Sequence, residues 1–98
     1  MNEWKWLTDH IPRGRAEAIS MQHLARIMGT DERELRRSVE QARRAGILIC
    51  SSNRGYFLPE NGQEIREHVH RARERIRTGS VCLRPFIREL MKREADGE

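Results

Sequence analysis

Residues 20–58 read SMQHLARIMG (Ser20–Gly29), TDERELRRSVEQARRAG (Thr30–Gly46) and ILICSSNRGYFL (Ile47–Leu58). Ser20 is a good N-cap, and Ile19 and Leu24 flank it at hydrophobic-staple positions. Met21, Leu24, Ile27 and Met28 then form one apolar stripe at helical spacing, which predicts a core-facing helix. Gly29 ends it as a C′ residue. After Thr30, Asp31 with Glu34 makes a capping box for a second helix. Leu35, Val39 and Ala42 mark its buried face at i, i+4, i+7. Gly46 closes this helix. The apolar run Ile47–Ser51 and the short run Tyr56–Leu58 predict two strands, with the turn residues Ser52-Asn53-Arg54-Gly55 between them. Pro59 stops the second strand.

Two helices separated by so short a turn must cross steeply, which is a helix-turn-helix arrangement. At 100° per residue, Arg33, Arg37, Gln41 and Arg44 lie opposite the buried face, flanked by Arg36 and Arg43. A helix offered to the major groove needs donor-rich side chains outward, and cations around it to hold phosphates. Arg33, Arg37 and Gln41 suit base edges. Arg36 lies beside them, and Arg44 near the helix end suits a phosphate. Asn53 and Arg54 sit at the hairpin tip, placed for the backbone or minor groove. Between Arg33 and Arg44, five arginines against two glutamates leave a local charge of +3. The competing reading is a solvated, salt-bridged surface, because Glu32 with Arg36 and Glu40 with Arg44 are spaced for i, i+4 pairs.

Upstream, Trp4, Leu7 and Ile11 share one face, predicting a short helix over Glu3–Ile11 that Pro12 stops. Trp6 points elsewhere. The loop Pro12-Arg13-Gly14-Arg15 is basic, and Arg13 and Arg15 are candidate phosphate contacts. Downstream, Asn61 with Glu64 caps a fourth helix, on which Ile65, Val69, Ala72 and Ile76 lie within about 40° of one another. Thr78-Gly79-Ser80 is expected to interrupt it. A last helix then carries Leu83, Phe86, Ile87 and Leu90, with Pro85 in its first turn or kinking it. These two stripes need cover. They can fold back on the core as a hairpin or pair with a second chain, and a homodimer through the C-terminal helices is the expected partner.

Composition sets the frame. The 98 residues suit one ordinary domain. Charged residues make up 35%, above the roughly 25% of average proteins. Aromatics are 5%, so the core rests on aliphatic residues and methionine. The net charge is +4 and comes almost wholly from arginine, the lysines being Lys5 and Lys92 alone. Arginine favours planar acceptors such as phosphates and guanine edges. Cys50 and Cys82 match no metal or redox spacing, and the preferred reading is two reduced, partly buried thiols. The first residues lack the apolar core of a signal peptide, and no apolar run reaches the ~20 residues of a membrane span. A cytoplasmic protein is expected. His68 and His70 point about 200° apart on a helix, a poor metal site, and His10 and His23 have no spacing partner. No catalytic or phosphate-loop motif occurs. Neither enzymatic activity, nor a cofactor, nor a metal is expected.

The run from Ile11 to Glu60 resembles the winged helix-turn-helix superfamily. It is similar to the N-terminal DNA-binding domain of biotin repressors in Ala45-Gly46-Ile47-Leu48-Ile49-Cys50-Ser51 and Gly55-Tyr56. It also resembles short phage and prophage winged-helix proteins of Gram-positive bacteria, which share the arginine-pair helix, the hairpin and a charged helical tail. The resemblance implies a mainly α fold with a small β-hairpin. A winged helix-turn-helix over residues 1–59 would be followed by a C-terminal helical extension over residues 60–98. It also implies double-stranded DNA as partner; phage proteins of this kind include both regulators and replication proteins, and a transcriptional regulator is the expectation here, with a phage replication accessory role as alternative. A winged helix used only for protein interaction is the contrasting expectation.

Overall fold

The computed structural model describes residues 3–97. Short helix α1 covers Lys5–Thr8, and a 3-10 turn covers Arg15–Glu17. Helices α2 (Met21–Met28) and α3 (Glu32–Arg44) follow, then strands β1 (Cys50–Ser52) and β2 (Gly55–Phe57), then helix α4 (Gly62–Ala95). The protein is mainly helical, with one antiparallel two-stranded hairpin in which Cys50 faces Phe57 and Ser52 faces Gly55.

The caps act as their residue types require. Ser20 Oγ accepts from the His23 N–H at 3.1 Å, and Asp31 Oδ1 accepts from the Glu34 N–H at 2.8 Å. Gly29 adopts the left-handed conformation (φ 67°), and the Thr30 N–H reaches back to the Ala25 carbonyl at 3.0 Å. This 6→1 bond closes α2 and starts the turn into α3 within two residues. The core gathers Leu7, Ile11, Leu24, Ala25, Leu35, Val39, Ala42, Ile49 and Tyr56. Within α2, Ala25 takes the buried position expected of Ile27, which is 48% exposed. In an eight-residue helix the buried face is narrow, and Leu24 and Ala25 fill it.

Four elements differ from expectation. α1 is shorter than Glu3–Ile11, because from His10 onward the N–H groups bond three residues back rather than four. β1 starts at Cys50 rather than Ile47. The Ile47 N–H is taken by the Ala42 carbonyl (3.0 Å) at the end of α3, and the Ile49 N–H by the Ile47 carbonyl (3.0 Å), so neither can join a ladder. β2 spans Gly55–Phe57, because the Leu58 N–H turns to the Pro12 carbonyl at 2.8 Å. Finally, α4 runs unbroken through Gly79 and Pro85, where two helices were expected. Gly79 keeps a negative φ. Glycine costs about 1 kcal/mol in a helix but stops one only when it turns left-handed.

The feature that sequence spacing did not reveal is a third extended segment along β2. Ile19 and Tyr56 exchange backbone bonds, N–H to carbonyl at 2.9 and 2.8 Å, and the Gly14 N–H donates to the Leu58 carbonyl at 2.8 Å. β2 is therefore bonded on both edges. This close approach explains Gly55, whose φ is 133° and where a Cβ would fall inside the Ile19 carbonyl.

The chain forms two compact units, one ending at His68 and the other starting at Val69. α4 begins close to the expected break at residue 59, and the boundary between units falls within it. In the second unit residues 73–97 are all exposed, including Ile76, Phe86 and Leu90. Among the described residues no helix is long and apolar enough to cross a membrane.

Gly55→Ala is expected to destabilise the fold by on the order of 3 kcal/mol, since the new methyl meets backbone and the residue must hold a positive φ. Chemical denaturation of the two proteins checks it; equal midpoints would contradict the close approach.

Candidate nucleic-acid interface

The outward face of α3 is positioned by its inward one. Leu35, Val39 and Ala42 are each 1% exposed or less, which fixes the roll of the helix and turns Arg33, Arg36, Arg37, Gln41 and Arg44 to solvent. Arg33 and Arg37 are one turn apart. Asp31 at the N-cap and Arg43 and Arg44 in the last turn complement the helix dipole.

The arginines of α3 divide by partner. Of the two i, i+4 pairs the spacing offers, Glu40–Arg44 forms, at 2.8 Å, between side chains 63% and 77% exposed. A pair this exposed contributes little and opens readily. Arg36 does not pair with Glu32. Among the described residues, the side chains of Arg33, Arg36, Arg37 and Gln41 make no hydrogen bond or ion pair, so the salt-bridged reading of this face holds only at its C-terminal end.

Arg43, which flanks that face, has a structural task. Its Nε donates to the Ile49 carbonyl at 2.8 Å and its Nη2 to Ser51 Oγ at 3.4 Å, while its guanidinium lies 6.0 Å from the centre of the Tyr56 ring. One planar fork thereby ties α3 to both strands. Burial pushes the Tyr56 hydroxyl pKa up, and the nearby positive charges of Arg43 and Arg36 partly offset that. His68 contributes from α4, its Nδ1 accepting from the Ser51 N–H at 3.4 Å. His68 thus supports the hairpin.

At the hairpin tip Asn53 and Arg54 are exposed. The turn is only these two residues long, with the Arg54 N–H held by Ser52 Oγ at 3.2 Å. The Arg54 guanidinium has no partner among the described residues. Asn53 keeps a negative φ, and Gly55 alone in this turn takes the positive one.

Arg13 and Arg15 are exposed but engaged. Arg13 Nη1 donates to the Pro59 carbonyl at 3.0 Å, and Arg15 Nη1 pairs with Glu67 Oε2 at 3.2 Å. Glu64 anchors the same junction. Its carboxylate accepts from the Arg15 and Glu60 N–H groups, both at 2.9 Å, while its own N–H donates to Asn61 Oδ1 at 3.0 Å. The backbone donors from Arg15 and then Glu60 hold its pKa below the ordinary 4.5. Sequence reading placed Glu64 in a capping box. Its partner across the fold, Arg15, had no local signal, because it lies 49 residues away in the chain.

Comparison with protein-family models, curated protein sequences and solved structures finds no match to the chain. The candidate interface therefore rests on its own geometry: four unengaged polar side chains on α3 and one guanidinium at the hairpin tip.

Elsewhere, His10 and His23 share a cleft of about 450 Å³ with Asp9 and Glu17, a proximity their spacing did not foretell. Among the described residues no three or more His, Cys, Asp or Glu side chains are grouped so that they could hold a metal ion. Neither cysteine is in a disulfide; Cys50 is buried as expected, and Cys82 is exposed.

Two outcomes are expected. Arg43→Ala should lower stability by about 1–2 kcal/mol through loss of charged hydrogen bonds, and Arg43→Lys should not restore it; Arg37→Ala should leave the melting temperature unchanged. Calorimetry of the three variants checks this. Glu64, with its folded-state pKa lowered, contributes stability that is present above pH 4.5 and lost as pH falls through the folded value. Glu64→Gln should therefore be less stable at neutral pH and show a shallower acid loss in urea midpoints measured against pH.

Proposed function

We propose that the chain is a sequence-specific double-stranded DNA-binding protein of winged helix-turn-helix type, acting as a small bacterial or phage transcriptional regulator. The observation that carries this reading is the row of unengaged side chains Arg33, Arg36, Arg37 and Gln41 on the outer face of α3. Holding several like charges together without counter-charges costs stability unless an anion supplies the balance. The row lies on a rigid element whose roll is set by core packing.

The winged reading draws support from the order α2, turn, α3, hairpin, and from the extended segment before α2 that borders β2. In this reading α3 enters the major groove, which is about 12 Å wide. Arg33, Arg37 and Gln41 meet base edges and Arg36 the neighbouring backbone. Arg44 exchanges Glu40 for a phosphate. Arg54 and Asn53 reach the backbone or minor groove from the hairpin tip. Arg13 and Arg15 brace the frame first and meet phosphate only by releasing the Pro59 carbonyl and Glu67.

A second reading, a winged helix used for assembly rather than DNA, is favoured by the exposed apolar side chains of α4. Sedimentation with and without DNA separates the two, since an assembly module forms the same species in both.

Binding to duplexes selected from a random pool is expected to weaken with salt, log K falling with a slope of about −0.9 per phosphate contact. Arg37→Ala should weaken the selected site by about 1–3 kcal/mol and relax preference at one base position. Arg54→Ala should weaken selected and random duplexes alike. Absence of any mobility shift at low salt would overturn the reading.

A further inference from the structure

The unbroken α4 has a property that two separate helices would not. Its residues Ile65, Val69, Ala72, Ile76, Gly79, Leu83, Phe86 and Leu90 follow one another in steps alternating between 4 and 3. That alternation, kept over more than three heptads, is the seam of a coiled coil. The seam is bare: Ile76 is 72%, Leu83 53%, Phe86 74% and Leu90 56% exposed. Gly79 falls in it with open space around it. Pro85 falls off it.

We propose that two copies of this chain pair their α4 helices antiparallel along this seam, with Gly79 of each beneath Ile76 of the other. Side-chain size decides the direction. In a parallel pair each seam residue meets its own copy. Gly79 would then face Gly79 and Ala72 face Ala72, leaving two hollow layers, while Phe86 against Phe86 would overfill a third. Hollow and overfilled layers both destabilise. In the antiparallel register centred between Arg77 and Thr78, Gly79 meets Ile76, Ala72 meets Leu83, Val69 meets Phe86, and Ile65 meets Leu90. Each of the first three layers then joins a larger residue to a smaller one, which is how facing positions reach even packing.

The flanking charges agree. A parallel pair sets Glu89 beside Glu94 of the second copy, a like-charge contact. The antiparallel pair sets Glu89 near His68 instead, and places Arg66, Arg73 and Arg75 beside Ile87, Ser80 and Cys82, with no repulsive neighbour. A second copy is the one partner whose residue sizes complement this seam layer by layer from the same sequence. The pairing does not rest on the DNA reading.

The test uses the full chain without DNA. Sedimentation equilibrium is expected to give twice the 11.6 kDa chain mass. Leu83→Glu should give the chain mass with unchanged helical circular dichroism, since Leu83 is solvent-exposed in the single chain. A monomer at every concentration, or a dimer indifferent to Leu83→Glu, would overturn the proposal. Direction is read with a nitroxide on Lys92→Cys in a Cys82→Ser chain, buried Cys50 being left in place. The antiparallel register puts the two labels roughly 44 Å apart at 1.5 Å per residue. A parallel pair brings them within roughly 20 Å, the interaxial spacing plus the label arms, and that distance would overturn the antiparallel arrangement. Failure to bind DNA leaves these results unchanged, and a monomer that still shifts DNA would refute the pairing alone.

Discussion

The reciprocal backbone pair between Ile19 and Tyr56 is the constraint on which the first unit turns. It joins the residue just before α2 to the strand just after the hairpin tip, and so links the start of the helical pair to its end. A three-residue strand bonded on one edge has little stability of its own. Bonded on both edges, with Tyr56 buried among the helices, β2 acts as the middle of a small sheet. The requirement then passes to Gly55, because only a residue without a side chain lets the Ile19 carbonyl come so near. Arg43 completes the arrangement from α3 by holding the Ile49 carbonyl and covering the Tyr56 ring. The angle of the hairpin to α3 is thus set by three kinds of force at once: backbone pairing, a charged fork and apolar burial.

Local rules made much of this legible in the sequence. Ser20, Asp31 and Asn61 cap helices because each oxygen reaches an amide within three residues, and the Leu35, Val39, Ala42 face is a direct product of helical periodicity. Interactions over longer separations were not legible. Nothing near Arg43 distinguishes it from Arg36 or Arg37, since the carbonyl it serves, that of Ile49, lies just before a strand whose start was misplaced by three residues. Strand limits were obscured because the Ile47 amide was already committed to closing α3. Glu64 looked like a cap and is a brace. Thr78-Gly79-Ser80 looked like a break, and Pro85 like a first turn or a kink, because their intrinsic costs are large, yet each falls once within a helix of 34 residues. Tertiary bonds and helix length override such local preferences.

The candidate interface shows the same limit from the other side. Wheel geometry found the exposed arginines of α3, because exposure follows from the position of the core. It did not tell which of them would be engaged. That depended on whether Glu32 and Glu40 reach their partners, and only Glu40 does. Nor did it tell that, in the loop before the 3-10 turn, the Arg13 guanidinium bonds the Pro59 carbonyl and that of Arg15 pairs with Glu67.

The preference for arginine follows from these roles. All but two of the 19 basic residues are arginines, and those that build the frame do so by reaching carbonyls and carboxylates across the fold, as Arg13, Arg15 and Arg43 do. A lysine ammonium is a compact, strongly hydrated charge, which is less suited to bonding a strand carbonyl and lying over an aromatic ring at once. The same planar fork that serves a carbonyl also matches a phosphate or a guanine edge. A chain rich in this one side chain can therefore assign it two tasks, and the presence of an acceptor within reach separates them. Where the fold supplies a nearby acceptor, as the Ile49 carbonyl does for Arg43, the arginine becomes structural. Where the packed face of α3 turns the side chain to solvent and no acceptor among the described residues bonds it, as for Arg33, Arg36 and Arg37, its donors stay open. The core of the first unit, by fixing the roll of α3, makes that division.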